Sequence, residues 1–221
     1  MTSIRTDNDA TLADRAQTFF DWTRVNARLL TAGAVVIVIA AAGYWFYLRS
    51  REIQAANAEK QLTTAKQSLS AGNLSLAQSD LQKVVSRYES TPAGVEAAMQ
   101  LAQLDYDARK FQDGIATLQK VAGSSAASAV QPTILSLEAD GYMQMGKPAE
   151  AAKQYEAAAD ATIYETEKAF QRAKAARAYQ SAGNNEKAQQ IWSSMLNDPK
   201  SATMASEARV RLGELTAKTA K

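Results

Sequence analysis

The hydrophobic pattern divides the chain in two. Leu29 to Leu48, LLTAGAVVIVIAAAGYWFYL, carries no charge, whereas from residue 52 onward apolar and polar positions mix at helical spacing. Twenty apolar residues at helical rise cover about 30 Å, the thickness of a bilayer's hydrocarbon core. A helix satisfies its own backbone polar groups where lipid offers no partners, so the pattern predicts a transmembrane helix over 29–48. Trp22, Arg28, Tyr44, Trp45, Tyr47 and Arg49 are its candidate interface anchors, since amphipathic rings and cations favour the headgroup level. A secretory signal cut near Ala40-Ala41-Ala42 is a second reading and a buried core helix a third. A retained anchor accounts for more residues. The leader is long, carries Asp7, Asp9, Asp14 and Asp21, and the apolar run continues past Ala42 to Leu48.

Residues 1–28 form an N-terminal tail. Thr11 to Ala27 reads as an amphipathic helix on the membrane face and equally as a polar tail with aromatic anchors, and Met1 to Asp9 reads as disordered. Arg15, Arg24 and Arg28 on one side of the crossing are balanced by Arg49, Arg51, Lys60 and Lys66 on the other, so charge alone leaves the orientation open.

The domain expected over 49–221 has an internal period. Gly72, Arg109, Gly146 and Gly183 stand 37 residues apart and mark equivalent turns. Seven residues before each turn stand Ala65, Ala102, Ala139 and Ala176; five after it, Ala77, Gly114, Ala151 and Ala188. Nine after it come Leu81, Leu118, Tyr155 and Trp192, and twelve after it Val84, Val121, Ala158 and Met195. Paired antiparallel helices require such columns: small residues let two backbones approach, and a large residue one turn on fills the space toward the next pair. Glycine past the first helix closes it in the left-handed conformation. Arg109 breaks the glycine pattern, and its turn is expected to use another loop conformation.

The columns predict first helices near 53–70, 93–108, 132–145 and 163–182, and second helices near 75–88, 112–122, 148–160 and 185–197. Thr91 before Pro92 and Gln131 before Pro132 are expected caps, and Thr162 with Glu165 an expected capping box. Gly123 to Ser128, GSSAAS, is the expected flexible connection. A last helix over 201–217 has Met204, Ala208, Leu212 and Leu215 on one side and reads as a solvating cap. An irregular alanine-rich bundle is the alternative to repeats, but four columns agreeing at one spacing favour repetition.

Composition narrows the chemistry. The chain has 221 residues with no cysteine and no histidine, which excludes disulfides, thiolate metal sites and the usual general base near neutral pH. Its formal net charge of +2 gives no strong field for a polyanion, so nucleic acid is not an expected partner. Asp105 with Asp107, and Glu165 with Glu167, are two apart on helices and do not face each other. No glycine-rich phosphate loop occurs, and Ser124 and Ser125 lack a histidine partner. No enzymatic activity and no cofactor are expected.

The columns resemble those of the tetratricopeptide repeat family, whose unit is about 34 residues, roughly three shorter than here. The family's first-helix tyrosine is matched by Tyr142 and Tyr179, with Ser68 and Asp105 in its place in the earlier units. The resemblance implies an all-α solenoid of four helix pairs with a groove for an extended or helical peptide. Carried over position by position, the groove residues are Met99, Gln103, Tyr106 and Asp107, then Ser136, Asp140, Met143 and Gln144, then Phe170, Arg177 and Gln180. Each fits packing or ordinary solvated surface as well.

The whole arrangement, FFDWTRVNARLL leading into one crossing that ends in GYWFYLR and then repeats, resembles the ancillary SecYEG translocon subunit family of bacterial inner membranes. That resemblance implies a single-pass inner-membrane protein with its N-terminus in the cytoplasm and its repeats in the periplasm. It further implies contacts with the Sec translocon and periplasmic chaperones, the repeats tethering chaperones or emerging polypeptides. The alternative is a structural accessory subunit whose repeats only brace a larger membrane assembly.

Overall fold

A computed structural model describes residues 22–219, and every regular element among them is helical. The surface helix expected over 11–27 lies outside the described residues up to position 21, as does the stretch 1–9. The chain divides into two units, Met1–Ile53 and Gln54–Lys221. In order the helices are α1 (Ala27–Ser70), α2 (Leu74–Tyr88), α3 (Pro92–Asp107), α4 (Phe111–Ala122), α5 (Gln131–Gln144), α6 (Pro148–Ala161), α7 (Glu165–Ser181), α8 (Asn185–Asn197) and α9 (Ala205–Thr219). Short 3-10 helices at Ser125–Val130 and Pro199–Met204 lead into α5 and α9.

In the first unit the apolar run is helical throughout, and every residue from 29 to 48 is exposed. It is long and apolar enough to cross a membrane. Helix α1 has no turn or cap between this run and its last turns, where Ala58, Leu62, Ala65 and Ser68 are buried at spacings of three and four.

In the second unit each helix packs on the next in sequence, with α3 against α2 and α4, and α6 against α5 and α7. All four columns point inward. Ala65, Ala102, Ala139 and Ala176 are fully buried, as are Ala77, Ala151 and Ala188, with Gly114 buried beside them. Leu81, Leu118, Tyr155 and Trp192 and the column from Val84 to Met195 are buried too. At Gly114 the approach of α4 to α3 is close, since an added Cβ would lie 3.0 Å from the Ala102 carbonyl oxygen.

All four hairpin turns close in one way. The amides of Asn73, Lys110, Lys147 and Asn184 donate to the carbonyls of Ser68, Asp105, Tyr142 and Tyr179 at 2.7–2.9 Å. The turn residues take positive φ: 76° at Gly72, 60° at Arg109, 71° at Gly146 and 79° at Gly183. The expectation of a different loop at Arg109 is therefore corrected. Its Cβ costs about 1–2 kcal/mol in this region, yet the closure bonds and the packing of both flanking helices hold it there.

Other local expectations divide. Thr91 caps α3, its hydroxyl accepting from the Gly94 amide at 3.1 Å. Gln131 does not cap; it is itself helical, and Val130 before it makes no side-chain cap bond. Thr162 and Glu165 form no capping box, because α7 starts at Glu165, and Thr162 instead donates to Glu167 at 2.9 Å and accepts from the Tyr164 amide. The stretch 123–128 is built rather than loose: Ser124 caps a 3-10 helix through the Ala127 amide at 3.2 Å.

Two hydrophobic clusters make the core. One runs from Ala58 to Ile134 and the other from Ala139 to Leu215, and Tyr142 packs against both. At their junction the Tyr106 ring occupies a slot made by two glycines. A Cβ on Gly114 would lie 2.5 Å from Tyr106 Cε1, and one on Gly141 would lie 2.6 Å from the Tyr106 hydroxyl.

Candidate functional site

Side-chain contacts link first helices across three seams, α1 to α3, α5 to α7 and α7 to α9. At the first seam Lys66 of α1 pairs with Glu96 of α3 at 2.6 Å, and at the last Arg177 of α7 pairs with Glu207 of α9 at 2.8 Å. These pairs are in register: 66 and 177 belong to one 37-residue column, and 96 and 207 to another. At the two inner seams the same columns hold Gln103 with Thr133 and Asp140 with Phe170, so the ladder's inner rungs are not ion pairs of this kind.

Most of the expected groove residues lie on this inner stretch. Gln103 and Asp107 are exposed on α3, the Gln103 amide donating to Asp107 at 3.4 Å. Met99 is half-buried against the first core cluster and Met143 against the second, while Gln144 is exposed and Gln180 half-buried. Phe170 is 44 % exposed. Arg177 is half-buried and already engaged by Glu207.

Two expected groove residues are corrected. Tyr106 is only 2 % exposed; its hydroxyl donates to the Leu137 carbonyl at 3.1 Å and its ring lies 6.3 Å from Phe111. Ser136 is buried and accepts from Lys174 Nζ at 3.0 Å. Both hold α5 against its neighbours, a demand that position transfer does not register.

Lys174 is not among the residues that the repeat columns single out, yet it contacts three of the expected groove residues, Ser136, Asp140 and Phe170. Its ammonium pairs with Asp140 at 2.8 Å and lies 4.5 Å from the Tyr155 ring centroid and 5.9 Å from that of Phe170. Asp140 also accepts from the Tyr155 hydroxyl. Burial, and then the Asp140 hydrogen bond, push the Tyr155 phenol far up, so it remains a donor. The signal in the sequence was faint: Lys174 is 34 residues from Asp140, not 37, so no column exposes the pair.

Charge is also buried between pairs. Asp105 is 5 % exposed and accepts from Gln78 Nε2 at 2.8 Å; burial raises its pKa, and the Gln78 bond opposes that in part. Glu138 is buried with its pKa raised by desolvation, opposed by a bond from Gln119.

The residues expected as interface anchors lie in the first unit. Tyr44, Trp45 and Tyr47 are exposed, as are Trp22, Arg28 and Arg49. Arg49 donates to Glu52 at 3.1 Å, and Arg51 donates to the Tyr47 hydroxyl at 3.3 Å with its guanidinium 5.6 Å from the ring centroid.

Comparison with known proteins gives the same fold. A family profile described as a tetratricopeptide repeat-like domain matches residues 21–136 and 60–174. No curated protein sequence matches. Among solved structures, the MamA protein is similar with a TM-score of 0.53 at 16 % identity, over 72 % of this chain and 86 % of that one. Repeats of a putative kinesin light chain from Podosopora anserina, described as nearly identical TPR-like repeats, are similar with a TM-score of 0.50 at 17 % identity, over 75 % and 97 %.

Proposed function

Because the chain belongs to the tetratricopeptide repeat-like domain family, a protein-interaction fold, we propose that it is a membrane-anchored module that binds a polypeptide along its first-helix face. The observation that carries the reading is the exposed apolar run of α1, 29–48, which continues as the same helix into the first repeat. An anchor confines the face to two dimensions and raises its effective concentration near membrane partners. The mixed surface of Met99, Gln103, Asp107, Met143 and Phe170 suits adaptable contact of moderate affinity.

The resemblance to ancillary translocon subunits supports a finer reading. In it the protein is a single-pass component of a bacterial inner membrane, its repeats are periplasmic, and it holds a chaperone or emerging polypeptide beside the Sec translocon. Co-purification of the full chain after gentle solubilisation tests this, together with protease accessibility in spheroplasts. Recovery of translocon components, loss of client with Gln103→Glu and Phe170→Glu, and digestion of the repeats by external protease are expected. Recovery of neither translocon nor chaperone overturns the finer reading, and a client that is retained by both variants overturns the groove.

A further inference from the structure

Along the first helices, ionic side chains neutralise one another. Lys66 pairs with Glu96 and Asp140 with Lys174, while the Arg177 guanidinium forks onto Glu207, Nε 2.8 Å from one carboxylate oxygen and Nη2 donating to the other at 3.2 Å. Lys174 is the most fully engaged. Of the three donors of its ammonium, Asp140 and Ser136 take two, at 2.8 and 3.0 Å, and the rings of Tyr155 and Phe170 flank it. Asp107, the remaining charged residue among those expected in the groove, is the last residue of α3 and accepts from Gln103.

What stays open between the outer ion pairs is uncharged. The columns that hold Lys66 with Glu96 and Arg177 with Glu207 hold Gln103 with Thr133, and in the next rung Phe170 stands where those carboxylates stand. Gln103, Thr133, Gln144 and Phe170 are exposed, and Met143 is half-buried. A charged ligand group brought against the paired ions is attracted by one member and repelled by the other. It gives up its hydration without meeting a free counter-charge.

We infer that this stretch takes an uncharged segment of polypeptide, with an aliphatic side chain against the Phe170 ring and with Gln103 and Gln144 bonding the segment's backbone. The inference rests on the first-helix face being the binding surface and adds which sequences it accepts. Apolar area covered at Phe170 supplies the attraction. Glutamine side chains both donate and accept, so they match peptide groups whatever the sequence. Selection against charge then follows from Lys174 and Arg177 being held by Asp140 and Glu207, which leaves a charged segment with a desolvation cost and no compensation.

The test uses the full chain in phosphatidylcholine nanodiscs, titrated by calorimetry with empty nanodiscs as the blank. Three peptides of one length, built from serine, glutamine and alanine with capped termini, carry leucines, lysines or glutamates at the same positions. The leucine peptide is expected to bind with an affinity that added salt leaves unchanged, and the lysine and glutamate peptides to bind at least about tenfold more weakly. Phe170→Ala is expected to weaken the leucine peptide about tenfold. Asp140→Asn leaves Lys174 without its ion partner, and is expected to tighten the glutamate peptide about tenfold while the lysine peptide stays weak. Circular dichroism melts of each variant establish that the fold is retained. A lysine or glutamate peptide that binds the unaltered chain as tightly as the leucine peptide overturns the preference and leaves the groove standing. Undiminished leucine-peptide binding by folded Phe170→Ala overturns the seat, and continued exclusion of the glutamate peptide by folded Asp140→Asn overturns ion pairing as its cause. Binding of none of the three peptides overturns the groove itself, and this inference with it.

Discussion

Replacing Gly141 by alanine adds one methyl group in the middle of α5, a change that helix propensity alone favours by about 1 kcal/mol. The surroundings decide otherwise. The new Cβ would stand 2.6 Å from the Tyr106 hydroxyl, 2.8 Å from Tyr106 Cζ and 2.8 Å from Ile115 Cγ1. The tyrosine cannot simply retreat, because the space a Cβ on Gly114 would take is already filled by the same ring. Its hydroxyl is also bonded to Leu137, and a shift loses that bond, worth about 1 kcal/mol. Overpacking of this kind costs about 1–3 kcal/mol, so the net expectation for Gly141→Ala is a loss of about 1–3 kcal/mol. Gly213 in α9 offers the control: a Cβ there meets nothing within 4 Å, and Gly213→Ala is expected to gain about 0.5–1 kcal/mol. Urea unfolding of the full chain in mild detergent, followed at 222 nm, measures both. In a Tyr106→Phe background the penalty of Gly141→Ala falls, since the nearest contact is gone. A Gly141→Ala variant as stable as the parent, beside a Gly213 control that behaves, refutes the glycine slot.

Arg109→Gly relieves a non-glycine residue at φ 60° and is expected to stabilise by about 0.5–1 kcal/mol in the same urea assay; a loss would mean the arginine side chain holds the turn. Asp105 and Glu138 have folded-state pKa values raised by burial, so the folded chain binds their protons more readily than the unfolded chain. Their contribution is fully favourable below the ordinary carboxylate range and is lost as pH rises through their raised values. The stability gained by Asp105→Asn with Glu138→Gln should accordingly be largest near neutral pH and shrink toward acid, and urea midpoints measured against pH that show the reverse slope contradict the assignment. Trp192 is fully buried, and its indole N–H has no hydrogen-bond partner. Trp192→Phe should stay within about 1.5 kcal/mol of the parent while Trp192→Ala loses about 3–5 kcal/mol; equal losses in thermal melts would show that the N–H, not the ring volume, matters.

The repeat was legible because periodicity survives where single positions mislead. Ala65, Ala102, Ala139 and Ala176 carry almost no information separately, yet each is fully buried, as their common spacing required. The apolar run 29–48 was legible for a similar reason: length and absence of charge are properties of the chain and not of its contacts. The site was less so. Tyr106 holds a groove position by transfer but is drawn inward by the slot between Gly114 and Gly141, two residues whose importance lies in what crosses over them. Lys174 stood off the period, so its link to Asp140 had no column to betray it.

By itself, then, the amino-acid order determined which residues are helical, how the helices pair, and that one segment is long and apolar enough to cross a membrane, since local spacing and transfer free energy act along the chain. Only the folded packing decided that Arg109 takes the left-handed turn, that Asp105 and Glu138 are desolvated, and which first-helix side chains remain open. These depend on what lies across a seam, where residues about 30 positions apart compete for the same space and the same hydrogen bonds.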